Sequence, residues 1–341
     1  MRLMTCLFLL LSLCATSSFA QIDSGLVAYY PFTGNALDVT GNGHDASDIA
    51  GAESIPDRNG VDSSAFRFNG LTDYIQILHA SDIDFGDAEA FAFSLWINIP
   101  EFQENTVGSV NDIISKWPAL SNVPYGYALR FINHTHPDNP NRLWFGRYEG
   151  NSSACNTLPS VTNTYALNDG QWHHIVFQRT EDQLLEIYID GVIDATTTDQ
   201  STCSLGNVQN LFFGLRTFSQ LSIDQRRPFT GALDEVRIYT RALNPEDIQH
   251  LKEFRTPVSL AAAPPLAGQV QILPNPVIGD EFWLENQSEL DLQRLRLYDN
   301  QGRLVREFGE RYELSGILPG VYYLEIELAG QQRVAKKLLR R

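Results

Sequence analysis

Residues 25–46 read GLVAYYPFTGNALDVTGNGHDA. The run Leu26-Val27-Ala28-Tyr29-Tyr30-Pro31-Phe32 predicts one strand, and the Gly-, Asn- and Asp-rich residues 33–45 predict a polar turn region. A matching segment, GALDEVRIY at 231–239, lies about 200 residues further on and predicts the strand that pairs with it. Such a pairing closes one β-sandwich from its two chain ends.

Between these segments, short alternating runs recur with turn residues between them. Residues 65–68 and 74–77 flank Asn69-Gly70-Leu71-Thr72-Asp73 and predict a hairpin. In residues 91–99, Phe91, Phe93, Leu95, Ile97 and Ile99 share one face, while Ala92 and Trp96 fall on the other, so the strand is expected to be buried on both sides near its middle. Asp190-Gly191 predicts a tight hairpin turn. One helix is signalled, with Asn244 as its cap, Pro245 in its first turn, and Ile248, Leu251 and Phe254 as its apolar stripe. About a dozen short strands with almost no helical periodicity read as all-β.

Residues 1–20 carry Arg2, the apolar run CLFLLLSL at 6–13 and the small-x-small site Ser18-Phe19-Ala20, the pattern of a signal peptide. Gln21 is then the expected mature N-terminus. No other apolar run is long enough for a transmembrane helix. The domain proper spans 21–255. Residues 256–269, TPVSLAAAPPLAGQ, are uncharged and Pro/Ala-rich and read as a linker to a second all-β module at 270–341.

Cys155 and Cys203 remain after the signal, and in an exported chain they are expected to form one disulfide. The formal net charge is −16. Residues 21–267 hold 30 Asp/Glu against 14 Lys/Arg, a surface that argues against a nucleic-acid partner.

Residues 25–253 resemble a laminin-G-like jelly roll of the concanavalin A-like lectin/glucanase superfamily, through GLVAYYPF at 25–32, FRFNG at 66–70, FSLW at 93–96, GQWHHI at 170–175, IDG at 189–191 and GALDEVRIY at 231–239. The resemblance implies two antiparallel sheets packed face to face, and a binding role often directed at carbohydrate, as a polysaccharide or a glycoprotein glycan. Residues 270–341 resemble the type A C-terminal sorting domain of the type IX secretion system, through LPNP at 273–276, LYDNQGRLV at 297–305, LPGVYYL at 318–324 and the basic end KKLLR. That resemblance implies a small Ig-like β-sandwich, Sec export, passage through the outer membrane by the type IX machinery, and a secreted or cell-surface product.

Three sets of residues are candidate sites. Asp38, Asn42 and Asp234 offer oxygens for a structural calcium ion if the two chain ends meet; Asx turns are the plainer role for Asp38 and Asn42. Trp117, Tyr125, Tyr127, Trp144 and Tyr148, interleaved with Arg130, Asn133, Arg142 and Arg147, form a candidate ligand surface, since sugar rings stack on aromatic faces. Paired carboxylates suited to a glycosidase are not evident: Asp234 and Glu235 are adjacent and expected on opposite faces. A lectin-like binding module is the leading reading. A divergent polysaccharide hydrolase or lyase, and an adhesion protein with a protein partner, are its alternatives.

Overall fold

The computed structural model describes residues 22–86, 89–103, 107–117, 125–149, 159–200, 206–216, 226–253, 270–286, 292–299, 303–309, 311–328 and 333–341. The first module contains β1 (Leu26–Tyr30), β2 (Ala46–Ala50), β3 (Glu53–Ile55), β4 (Ala65–Asn69), β5 (Tyr74–Ile77), β6 (Phe91–Asn98), β7 (Val110–Lys116) and β8 (Tyr125–Ile132). It continues with β9 (Arg142–Glu149), β10 (Ser160–Thr162), β11 (Trp172–Arg179), β12 (Leu184–Ile189), β13 (Val192–Thr198), β14 (Leu211–Phe213), β15 (Thr230–Tyr239) and helix α1 (Pro245–Glu253). The second module holds β16 (Val270–Leu273), β17 (Trp283–Asn286), β18 (Leu292–Tyr298), β19 (Leu304–Phe308), β20 (Gly320–Leu328) and β21 (Arg333–Arg340).

The first module is an antiparallel sandwich of the expected jelly-roll kind. One sheet runs β13-β12-β11-β6-β15-β4-β3, with β1 also paired to β15, and the other runs β10-β9-β8-β7-β14-β5-β2. Chain-end closure is as expected: Leu26 pairs with Tyr239 and Tyr30 with Val236. Alternation explains the core. Phe91, Phe93, Leu95 and Ile97 of β6 face Tyr127, Leu129 and Phe131 of β8, and burial of these apolar faces drives the two sheets together. The other face of β6 is covered too. Ala92 packs with Val176, Tyr239 and the α1 residues Ile248 and Leu251.

β4 and β5 do not form the predicted hairpin. They belong to different sheets, and residues 69–73 arch between them. Asn69 Oδ1 accepts from Leu71 N at 2.8 Å and Asp73 Oδ2 accepts from Asn69 N at 2.9 Å, which fixes the arch. It lets Phe66, Phe68, Ile75 and Ile77 meet the same core from opposite sides.

The second module has a four-stranded sheet, β19-β18-β20-β21, and a two-stranded sheet, β16-β17. Ile272, Leu295, Leu297, Leu324, Ile326 and Leu338 fill the space between them. No helix among the described residues is long and apolar enough to cross a membrane.

Candidate functional site

The outer face of the seven-stranded sheet gathers the candidate ligand residues into rows. Arg130 lies between the core residues Leu129 and Phe131, and Trp144 between Leu143 and Phe145, so both side chains point away from the core. Register sets Asp112 opposite Arg130, and Arg130 opposite Trp144, in one line across β7, β8 and β9. Arg130 Nε donates to Asp112 Oδ1 at 2.9 Å. Its guanidinium carbon is 4.3 Å from the Trp117 ring centroid and 4.4 Å from that of Trp144, cation–π distances on two sides.

The next row is built from small residues, with Ser115 opposite Ala128, Ala128 opposite Gly146, and Gly146 opposite Ser160. Gly146 is required by close approach. A Cβ there would sit 2.3 Å from the Trp144 ring, so the indole lies across this glycine. Three polar atoms on the same face, Asp112 Oδ2, Ser115 Oγ and Arg130 Nη2, are buried without a protein hydrogen-bond partner. Burial lowers the Arg130 pKa to about 10; Asp112 opposes that, while the charges of Arg227 and Arg216 add to it. The face is therefore locally cationic in an acidic protein.

The structure rearranges the rest of the predicted surface. Trp117 is not an open stacking platform, because it is buried against Arg130 and Arg216. Tyr127 lies in the core with its hydroxyl donating to Ile83 O, and Asn133 is buried, donating to Gly108 O and Asn111 Oδ1. Arg147 leaves the candidate set. It shares the inward face with Leu143 and Phe145 and lies 3.1 Å from the buried Asp199, which Arg179 also contacts. Strand parity, odd for core and even for outside, separates Arg147 from Trp144. The side chains of Tyr125 and Tyr148 lie outside the described residues, as do Cys155, Cys203, residues 1–20 and the linker 256–269.

Asp38 and Asp234 are each engaged by protein donors. Asp38 Oδ1 accepts from Tyr29 N at 3.1 Å and Thr40 N at 3.0 Å; its Oδ2 accepts from Thr40 Oγ1 at 2.8 Å and His44 N at 3.3 Å. Asn42 turns its amide to Val27 O at 2.8 Å. Asp234 is wholly buried and ion-paired to Arg58 at 2.7 Å. Among the described residues no group of three or more His, Cys, Asp and Glu side chains is placed to hold a metal. The Asx-turn role of Asp38 is the one its contacts display.

Asp234 and Glu235 do not point to opposite faces. A register shift interrupts β15 between Asp234 and Arg237, and Glu235 takes φ 55°, so both carboxylates turn toward one cation. Lys337 of β21 lies 3.1 Å from Glu235 and 4.0 Å from Asp234. Glu235 also receives Arg237 at 2.8 Å and the Tyr29 hydroxyl. Burial opposes its ionisation, yet Lys337 and Arg237 outweigh that and hold its pKa down at about 2. These carboxylates are buried where Lys337 of the second module meets the jelly roll. Sequence reasoning missed this cluster because Lys337 sits about 100 residues from its partners.

A family model described as the concanavalin A-like lectin/glucanases superfamily matches residues 69–249. The chain belongs to that superfamily. None of the curated proteins matches it significantly in sequence. Among solved structures, the binding domain of Paraclostridial mosquitocidal protein 1 is similar with a TM-score of 0.56 at 15% identity, covering 90% of this chain and 76% of that one. The botulinum neurotoxin serotype G binding domain is similar with a TM-score of 0.52 at 13% identity, covering 90% and 74%. A structure of botulinum neurotoxin type C, which enters cells dependent upon interaction with two ganglioside molecules, is similar with a TM-score of 0.52 at 11% identity, covering 90% and 71%. These likenesses concern the fold.

Proposed function

We propose that this superfamily member is a carbohydrate-binding module whose ligand site is the outer face of β7, β8 and β9, centred on Arg130 between Trp117 and Trp144. The observation that carries this reading is the trio of buried polar atoms, Asp112 Oδ2, Ser115 Oγ and Arg130 Nη2, that lack a protein partner beside two indoles. Buried polar groups are ordinarily paired, and each unpaired one costs about 1–3 kcal/mol. A sugar supplies what they lack: hydroxyls that donate to Asp112 and accept from Arg130, and an apolar ring face for Trp144. The ganglioside interaction of botulinum neurotoxin type C makes glycans the ligands to try first.

Within this reading the chain is exported by a signal at 1–20, braced by a Cys155–Cys203 disulfide, and carried across the outer membrane by a type IX sorting module at 270–341. Its product then works in the medium or on the cell surface. The test is a glycan array on the full chain, followed by titration of the best glycan with Trp144→Ala and Arg130→Gln. Trp144→Ala is expected to weaken binding at least about tenfold, about 1.4 kcal/mol, with an unchanged circular dichroism spectrum. Wild-type affinity in both variants would overturn the site, and reducing sugar released from the bound glycan would favour a hydrolase instead.

A further inference from the structure

A cleft of about 590 Å³ opens where the two modules meet. The jelly roll contributes Thr33, Ser54 and Ser63 to its wall, and the second module contributes Gln271 of β16 and Lys336 of β21. It is separate from the outer face of β7–β9, and its volume suits a mono- or disaccharide. We infer that this cleft binds a carboxylated sugar, with Lys336 taking the carboxylate and the jelly-roll hydroxyls taking the ring hydroxyls.

Three observations converge on that class of ligand. First, Lys336 is half-buried, and among the described residues it has no hydrogen bond or ion pair. Its neighbour Lys337, by contrast, is fully engaged with Glu235 and Pro31 O. Burial lowers the Lys336 pKa, and the Asp62 carboxylate in the same wall is the charge that opposes this. An ammonium left in this position is suited to one anionic group; Asp62 disfavours a second.

Second, Thr33 Oγ1 is buried and has no protein partner. Third, the neutral groups of the wall are sorted. Asn275 is committed to the backbone of β21, donating to Lys337 O at 3.1 Å and accepting from Leu339 N at 2.9 Å. Ser64 is committed to Asp62 O at 3.2 Å. Thr33, Ser54 and Ser63 remain as the hydroxyls available to a polyol. Hydroxyls both donate and accept, so they match a sugar without demanding one orientation. Both modules supply the wall, so the site exists only while residues 270–341 remain attached.

Isothermal titration of the full chain with glucuronate, against glucose as the uncharged analogue, tests the inference. Saturable binding of glucuronate is expected, with glucose at least tenfold weaker. Lys336→Met should erase that preference, while Lys336→Arg should retain it. Thr33→Val should weaken both sugars and gives a second readout if Lys336→Met fails to fold. An excess of the best array glycan should leave glucuronate bound at the wild-type level, which separates this cleft from the outer-face site. Absence of saturable glucuronate binding, or wild-type preference in folded Lys336→Met, would overturn the inference.

Discussion

His174 lies on the outer face of the eight-stranded sheet, wholly buried, with its Nε2 2.9 Å from Ser94 Oγ and its ring 5.4 Å from that of Trp96. The pair has the look of a nucleophile and base, but Asp190 accepts from the His174 backbone and from His173 Nδ1, and His174 Nδ1 has no protein partner. It is a packing pair. Burial, aided by the charges of Arg58 and Arg237, pushes the His174 pKa down to about 3. A base whose folded pKa lies below its unfolded value stabilises the fold fully above pH 6.5 or so, and that contribution is lost as pH falls toward 3. The loss should reach roughly 3 kcal/mol by pH 4. His174→Phe is therefore expected to be less stable than wild type at pH 7, because Ser94 loses its partner, yet to fall less steeply between pH 6.5 and 4. Urea midpoints at both pH values check this; parallel slopes in the two proteins would mean that another group governs the acid limb.

At the scale of elements, the corner between β1 and β2 is organised by one carboxylate. Asp38 collects three backbone N–H groups and one hydroxyl, which folds residues 38–44 back against Tyr29. Asp38→Ala leaves those donors without an acceptor and should cost about 2–3 kcal/mol. A lowered urea midpoint at constant slope would show it. Chelator is expected to leave the wild-type midpoint unmoved, since both Asp38 oxygens already have donors; a rise with added calcium would reveal an ion that displaces Thr40. Much at this scale was legible in the residues. The β1–β15 pairing, the two-faced burial of β6, the Asp190-Gly191 turn and the Asn244 cap, whose Oδ1 accepts from Asp247 N at 2.8 Å, all follow from local pattern. The bulge at Glu235 did not, because alternation assumes an unbroken strand and the cation that rewards the bulge comes from β21. The arch at 69–73 failed for a related reason: a short polar connection suits a hairpin and a sheet-to-sheet crossing equally well. Arg130 and Arg147 look alike in the sequence, and only register about the core separates the one at the ligand face from the one in a buried ion pair.

Across the whole molecule, the last strand fastens the first. Tyr323, Val321 and Leu339 pack with Tyr29 and Val39 in one apolar cluster shared by both modules. Arg341 donates to Asp38 O at 3.1 Å and pairs with Asp45. At the centre is Lys337, its side chain 1% exposed, bound to Glu235 and Pro31 O. Taking an ammonium and two carboxylates out of water is costly, and the arrangement holds only while every charge has its partner. Lys337→Met keeps the apolar stem and removes the charge. Glu235 retains Arg237 and Asp234 retains Arg58, so the fold should survive, at a loss of about 2–4 kcal/mol. The loss should fall on the contact between modules rather than on either core. In wild type, hydrogen exchange of the β1–β15 ladder and of the β20–β21 ladder should share one opening free energy. In Lys337→Met, β20–β21 should open at lower free energy while β6–β11 keeps its protection. A uniform loss across both modules would mean that Lys337 stabilises the jelly roll itself. Removal of residues 270–341 by proteolysis would then have to be matched by a new partner for Glu235.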